Sequence, residues 1–211
     1  MTIHDISVIL GEENITYPGD PAFSREAPGP ETGEAMKISI CAHSGTHLDS
    51  PAHFFPERAR LDDFAPEHFI MPAQVVEILD PIAVRADDLN GVQTSPGEAI
   101  LLRTGNSHSG RACNGRFAEE YVYVAADAAQ WCVDRQLRLV GLDYISLDRY
   151  GDADTPAHEI ILGGGLLALE GINLVDVPPG RYTLLCLPLR IRGAEGSPVR
   201  AVLLNGTTLE L

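Results

Sequence analysis

Apolar residues in this chain are grouped into short runs that proline and glycine separate, which is typical of a protein built from many short elements. Runs that are rich in β-branched residues, or that alternate between apolar and polar residues, predict strands at residues 3–10, 36–41, 75–79, 99–103, 139–143, 182–187 and 199–204. The alternation at 36–41 predicts a strand with one buried face. Because strands outnumber helices, we expect an α/β fold with a mixed sheet.

Two segments carry the signals of helices. Apolar residues recur at helical spacing between positions 121 and 138, which predicts an amphipathic helix there. Thr155 and Pro156 predict the start of a second helix, because threonine is a favoured N-cap and proline suits the first helical position. The glycines at 163–165 should end that second helix after about two turns.

The most unusual feature of the sequence is a segment from His43 to His53 that contains three of the seven histidines and an aspartate. On an extended strand, residues 43 and 47 would lie roughly 13 Å apart, too far to bind one metal ion. Gly45 and Pro51 disfavour a helix, in which these positions would meet. A tight turn at residues 44–46 remains, and Gly45 can supply the positive φ that such a turn requires.

That turn would fold His47 back towards His43, and Pro51 would redirect the chain so that His53 reaches the same cavity. Imidazole and carboxylate are the usual ligands of zinc-like metals, so His43, His47, Asp49 and His53 form a candidate metal centre. The alternative is a set of solvent-exposed loop histidines. The density of potential ligands around a turn glycine favours the metal centre.

Composition and charge narrow the possible partners. The net charge of −15 argues against nucleic acid and anionic membranes, because both bind basic surfaces. No apolar run approaches the roughly 20 residues that a membrane span requires. The first residues lack the basic and apolar regions of a signal peptide, so we expect a cytoplasmic protein. A length of 211 residues with 45% hydrophobic residues fits one ordinary domain.

The histidine segment, written H-x-G-T-H-x-D-x-P-x-H, resembles the signature of the cyclase-like family, which includes bacterial kynurenine formamidases and isatin hydrolases. Shorter segments that resemble the family occur in the same order as in its members, at residues 5–7, 17–20, 102–105, 141–143, 146–148, 188–190 and 197–201. The resemblance implies a swivelling β/β/α cyclase-like fold that forms a single domain over residues 1–211. It also implies a homodimer or a higher homo-oligomer.

The resemblance also assigns residues to the site. It makes His43, His47 and Asp49 metal ligands, and it makes His53 the residue that accepts and donates a proton. Members with two metals use a distal histidine and a glutamate twelve positions later. His158 and Glu170 stand at that spacing, and Asp49 and Glu170 would then bridge the ions.

Taken alone, His158 would more often lie on a helix surface, and Glu170 would be a solvated charge. One or two Zn²⁺ ions suit the ligand set best, and Mn²⁺ is a second candidate.

The substrate implied by the resemblance is a small aromatic or cyclic amide. Kynurenine formamidases tend to have tryptophan where this chain has Tyr17, which keeps a flat apolar face for stacking. Phe54 and Phe55 could extend an aromatic wall, although core packing explains them equally well. N-formylkynurenine, in tryptophan catabolism, is the favoured substrate. An isatin-like lactam, a cyclic imide or a lactone is the alternative.

Two other classes of protein remain to be weighed. A serine hydrolase is disfavoured because the chain has no G-x-S-x-G motif, and Ser44 and Ser50 lie beside the candidate ligands. A non-catalytic metal-binding module would use ligands that saturate the ion. His53 exceeds what one such site needs, which argues for an enzyme.

Overall fold

The computed structural model describes residues 2–27 and 35–205. In these ranges the strands are β1 Thr2–Asp5, β2 Ser24–Glu26, β3 Lys37–Ser39, β4 His47–Asp49, β5 Ile70–Glu77, β6 Ala83–Val84, β7 Ala99–Arg103, β8 Tyr123–Val124, β9 Leu139–Leu142, β10 Leu167–Glu170, β11 Gly180–Leu185, β12 Gly196–Pro198 and β13 Val202–Asn205. The α-helices there are α1 Gly105–His108, α2 Ala126–Asp134 and α3 Pro156–Gly163. None of the described helices is long and apolar enough to cross a membrane.

One large sheet organises the described residues. Its strand order is β1-β13-β11-β5-β7-β9-β10-β4-β12, and β5, β7, β9 and β10 run parallel at its centre. The strands on either side pair antiparallel, so the predicted α/β fold with a mixed sheet is confirmed.

The central strands are buried on both faces. In β7, Ile100 and Leu102 pack into one core with α2 and α3, whereas Ala99 and Leu101 pack into a second core. This alternation follows from the two-residue period of a strand. Leu48 of β4 and Leu203 of β13 share the second core although their strands lie far apart in the strand order, so the sheet curls around it.

Two of the predicted strands differ from the observed ones. The strand predicted at 3–10 ends at Asp5 because the chain turns at Ile9, whose carbonyl accepts the N–H groups of Glu12 and Glu13. A strand is present within the predicted range 36–41, but the prediction that one of its faces is buried was wrong. Residues 37–39 pair only with β2 in a separate two-stranded sheet, and their side chains are exposed.

The predicted helices are present with changed ends. The helix expected over 121–138 is confined to α2, because Tyr123 and Val124 pair with β6 instead. Helix α3 begins at Pro156 as predicted, but the Thr155 side chain makes no capping hydrogen bond. The Asp148 carboxylate accepts the N–H groups of Ala157 and His158 in its place.

The turn before β4 is held by the segment that follows β10. Gly45 has a φ of 63°, which confirms the predicted turn. The Thr46 hydroxyl donates to the Gly171 carbonyl at 2.6 Å. Gly171 has a φ of 65°, and a Cβ there would lie 2.3 Å from the Gly45 carbonyl oxygen. Only glycine allows these two backbones to approach so closely.

Replacing Gly171 should therefore destabilise the protein more than replacing a glycine in open space. We expect Gly171→Ala to lose about 1–3 kcal/mol from overpacking, in addition to about 1–2 kcal/mol for the left-handed backbone. Gly91→Ala is the matched control, because Gly91 has a φ of 84° with nothing within 4 Å of an added Cβ. Denaturant unfolding measures both variants. Equal losses would contradict the role of the close approach.

Candidate metal centre

Strand β4 places two candidate ligands on one face of the sheet. His47 and Asp49 alternate with Leu48, whose side chain enters the core. The turn at Gly45 brings His43 to the same place, and its Nδ1 lies 2.8 Å from Asp49 Oδ1. His47 Nε2 lies 3.6 Å from the same oxygen. The three side chains converge closely enough to hold one metal ion.

His158 and Glu170 form a second group on the other side of Asp49. His158 lies in the first turn of α3, and Glu170 ends β10 directly opposite His47. His158 Nε2 lies 3.1 Å from Glu170 Oε1 and 3.7 Å from Asp49 Oδ2. Both residues are buried, with exposed fractions of 6% and 3%, so neither is the solvated side chain that its local sequence would suggest. Together with Asp49 they can hold a second ion.

His47 and His158 each form a hydrogen bond through the ring nitrogen that points away from the site. That bond fixes which nitrogen of each ring faces the site. His47 Nδ1 donates to the Gly45 carbonyl at 2.9 Å, which leaves Nε2 directed at Glu170 Oε2, 3.2 Å away. His158 Nδ1 lies 2.5 Å from Asp148 Oδ2, which leaves Nε2 directed inward. Outer partners of this kind orient the histidines of metal sites and fix their tautomers.

The chemistry of the donors fits a divalent cation. Asp49 Oδ2 is buried and has no hydrogen-bond partner among the described residues, an arrangement that costs free energy unless a cation satisfies it. Burial raises the pKa of Asp49, but the adjacent His47 and His43 rings outweigh burial and hold that pKa below its usual value. Burial likewise raises the pKa of Glu170, but the charge of His158 and its hydrogen bond outweigh burial and hold that pKa below its usual value. Both carboxylates are therefore ionised and available to a metal.

His53 lies beside this cluster and outside the two groups that share Asp49. It ends the short 3₁₀ turn Pro51–His53, and its ring centroid lies 4.3 Å from that of His43 and 6.2 Å from that of His158. Burial lowers the pKa of His53, and the charges of the His43 and His158 rings lower it as well. The Asp49 carboxylate raises it, but the net shift is downward. The ring is therefore neutral at pH 7 and can accept a proton.

The cluster forms the floor of a pocket of about 270 Å³. Tyr17 and Phe54 line it, and the Phe54 ring stacks on His158 with centroids 5.1 Å apart and planes 5° apart. Phe55 does not line the pocket. Its ring instead lies under the Arg58 guanidinium, 4.9 Å from the centroid, so core and surface packing explain it.

Several residues in the pocket or in contact with its ligands were missed by sequence reasoning. Asp148, which orients His158, lies in the segment 146–148 that carries part of the family resemblance, and this was the available signal. Glu195 lies 3.3 Å from His43 Nε2 but is 152 residues away in the chain, so no local pattern indicates it. Further lining residues that were not predicted are Asp20 and Ser146, which lie in segments of the family resemblance, and Ile145, Arg149, Gly151, Asp152 and Thr155.

Comparison with known proteins finds a family model and relatives that match this chain. The family model named Cyclase matches residues 4–149, a range that includes the histidine segment. A kynurenine formamidase of Salinibacter ruber is 32% identical over 209 residues, which cover 96% of this chain and 97% of that protein.

Solved structures agree as well. A potential metal-dependent hydrolase with cyclase activity has a TM-score of 0.83 and 27% identity, with 96% of each chain covered. Isatin hydrolase A from Ralstonia solanacearum has a TM-score of 0.79 at 23% identity, covering 96% of this chain and 91% of that one, which shows the shared fold alone. The predicted cyclase-like fold is confirmed.

Protons should compete with metal for this cluster. Burial lowers the pKa of His43, but its hydrogen bond to Asp49 and the charge of that carboxylate raise the pKa to about 9. Below that pH the metal-free ring is protonated, and a binding cation must displace the proton. We expect metal affinity to rise by up to about tenfold per pH unit for each displaced proton, and the contribution of His43 to level off above pH 9. Competition with a metal indicator from pH 6 upward measures this, and a flat profile would contradict it.

Proposed function

Since this chain belongs to the cyclase family, we propose that it is a metal-dependent hydrolase that cleaves the amide bond of a small aromatic or cyclic substrate, with N-formylkynurenine as the first candidate. One observation carries the proposal: two buried donor groups share Asp49, with a neutral imidazole beside them. Relatives named kynurenine formamidase match nearly the whole chain and support the choice of substrate.

In this proposal His43, His47 and Asp49 hold the first ion, and Asp49, His158 and Glu170 hold the second. Glu170 would also lie beside the first ion, because its Oε2 is 3.2 Å from His47 Nε2. A donor set of imidazoles and carboxylates suits Zn²⁺, with Mn²⁺ as the alternative.

The reaction divides between the cation and the protein. A divalent cation held by these residues would lower the pKa of water towards about 7 and would polarise the substrate carbonyl. His53 takes a proton from the attacking water at a ring nitrogen, as the new C–O bond forms. It then delivers that proton to the leaving nitrogen as the C–N bond breaks, which yields formate and the aromatic amine from a formamide. Tyr17 and Phe54 provide flat apolar walls against which an aromatic ring can stack.

A lactam, cyclic imide or lactone hydrolase is the second candidate. The shared fold with isatin hydrolases and the tyrosine at position 17 favour it. Comparing turnover of N-formylkynurenine with turnover of isatin, with and without a chelator, separates the two. A metal-binding module without catalysis would instead hydrolyse neither substrate, and the chelator would affect only its folding.

The proposal extends to the state of the protein in the cell. We place it in the cytoplasm, in tryptophan catabolism, as a homodimer or a higher homo-oligomer. Half-exposed apolar side chains at Ile38, Leu189 and Ile191, with exposed fractions of 54%, 56% and 50%, offer surface for a second copy.

Removing the proposed proton carrier should abolish turnover without releasing metal. We expect His53→Ala to lower kcat by about 10²–10⁴-fold, the usual contribution of general acid–base catalysis. Elemental analysis should find the same metal content as in the wild type. His108→Ala is the control, because His108 lies at the surface and bonds Glu77. Full activity of His53→Ala would remove this residue from the mechanism.

A further inference from the structure

A short strand near the end of the chain lies against the strand that carries His47 and Asp49. Strand β12 pairs antiparallel with β4, and Gly196 is opposite Asp49. The backbone N–H and the hydroxyl of Ser50 both donate to the Glu195 carbonyl, each at 2.8 Å. The backbone at 195–196 is therefore fixed beside the histidine segment.

This position brings the Glu195 side chain to the outer edge of the His43 ring. Glu195 Oε1 lies 3.3 Å from His43 Nε2, while His43 Nδ1 lies 2.8 Å from Asp49 Oδ1 on the opposite edge. The ring also rests on Gly196, where an added Cβ would lie 2.7 Å from His43 Cε1. The glycine provides the space for the ring, and the glutamate faces its outward nitrogen.

The other two histidines of the cluster are held in the same manner. His47 uses the Gly45 carbonyl as its outer acceptor, and His158 uses the Asp148 carboxylate. We propose that Glu195 is the positioning residue of His43, and that it fixes the ring with Nδ1 towards the metal and Nε2 outward. This inference rests on the proposed function, because it takes His43 to be a metal ligand.

The carboxylate acts on the metal through the imidazole. A hydrogen bond from Nε2–H selects the tautomer in which Nδ1 has a free lone pair, and it increases the electron density that this nitrogen donates. Without Glu195, the half-exposed edge of the ring would bond water and lose this orientation. Removing an outer partner of a metal-binding histidine typically weakens metal affinity by about 10–100-fold.

The test measures metal dissociation by chelator competition, using the full-length protein loaded with Zn²⁺. We expect Glu195→Ala to weaken the affinity by about 10–100-fold, and Glu195→Gln, which keeps an acceptor oxygen, to lie between that variant and the wild type. Glu67→Gln is the control, because Glu67 is an exposed acid in the turn Pro66–Phe69. The melting temperature of metal-free Glu195→Ala should fall only slightly, because the change removes one partly exposed ion pair with His43.

A double-mutant cycle separates positioning from other effects. If Glu195 acts through His43, then Glu195→Ala should weaken the affinity no further in a His43→Ala background. Wild-type affinity in Glu195→Ala would overturn the inference. Unfolding of the metal-free variant would also overturn it, as would the loss of a whole equivalent of metal, which would make Glu195 a ligand. A wild-type protein that binds metal but hydrolyses no amide would overturn the proposed function. The effect of Glu195→Ala on metal affinity would still test the role of Glu195.

Discussion

The buried carboxylate of Asp49 is the constraint on which the rest of the site depends. One oxygen faces His43 and His47, and the other faces His158 without a hydrogen-bond partner among the described residues. A buried charge requires compensation, and here it comes from three imidazoles and from the cations that the two donor groups can hold. The two donor groups are therefore one unit, because each includes the same side chain.

The fold serves this carboxylate by placing β4 between two different partners. Strand β10 presents Glu170 on one side, and β12 presents the backbone of Gly196 on the other. The glycine turns at 45 and 171 bring His43 and Glu170 to the same end of these strands. Helix α3 contributes His158. The Asp148 carboxylate accepts the backbone N–H of His158 at the start of this helix and orients the His158 ring. The parallel centre of the sheet provides a rigid base, since it is buried on both faces.

Local chemistry made part of this arrangement predictable. Between His43 and His53, Gly45 and Pro51 exclude a helix and leave the turn that the structure contains. The meeting of His158 and Glu170 with this segment was implied by family resemblance alone, because strand register determines it. Glu195 remained unpredicted for the same reason. The error at residues 121–138 also has a non-local cause, because pairing of Tyr123 and Val124 with β6 overrode the local periodicity. The error at residues 36–41 concerns burial, because the small sheet of β2 and β3 leaves the side chains of residues 37–39 exposed.

Metal content of the protein with and without the shared carboxylate tests the account most directly. Elemental analysis should find about two equivalents of divalent metal per chain in the wild type, one for each of the two ligand groups that share Asp49. Asp49→Asn, which keeps the size of the side chain and removes its charge, should lose the greater part of both. Asp152→Asn, at the pocket mouth and outside both groups, should retain them. Wild-type metal content in Asp49→Asn would contradict the central role of this residue.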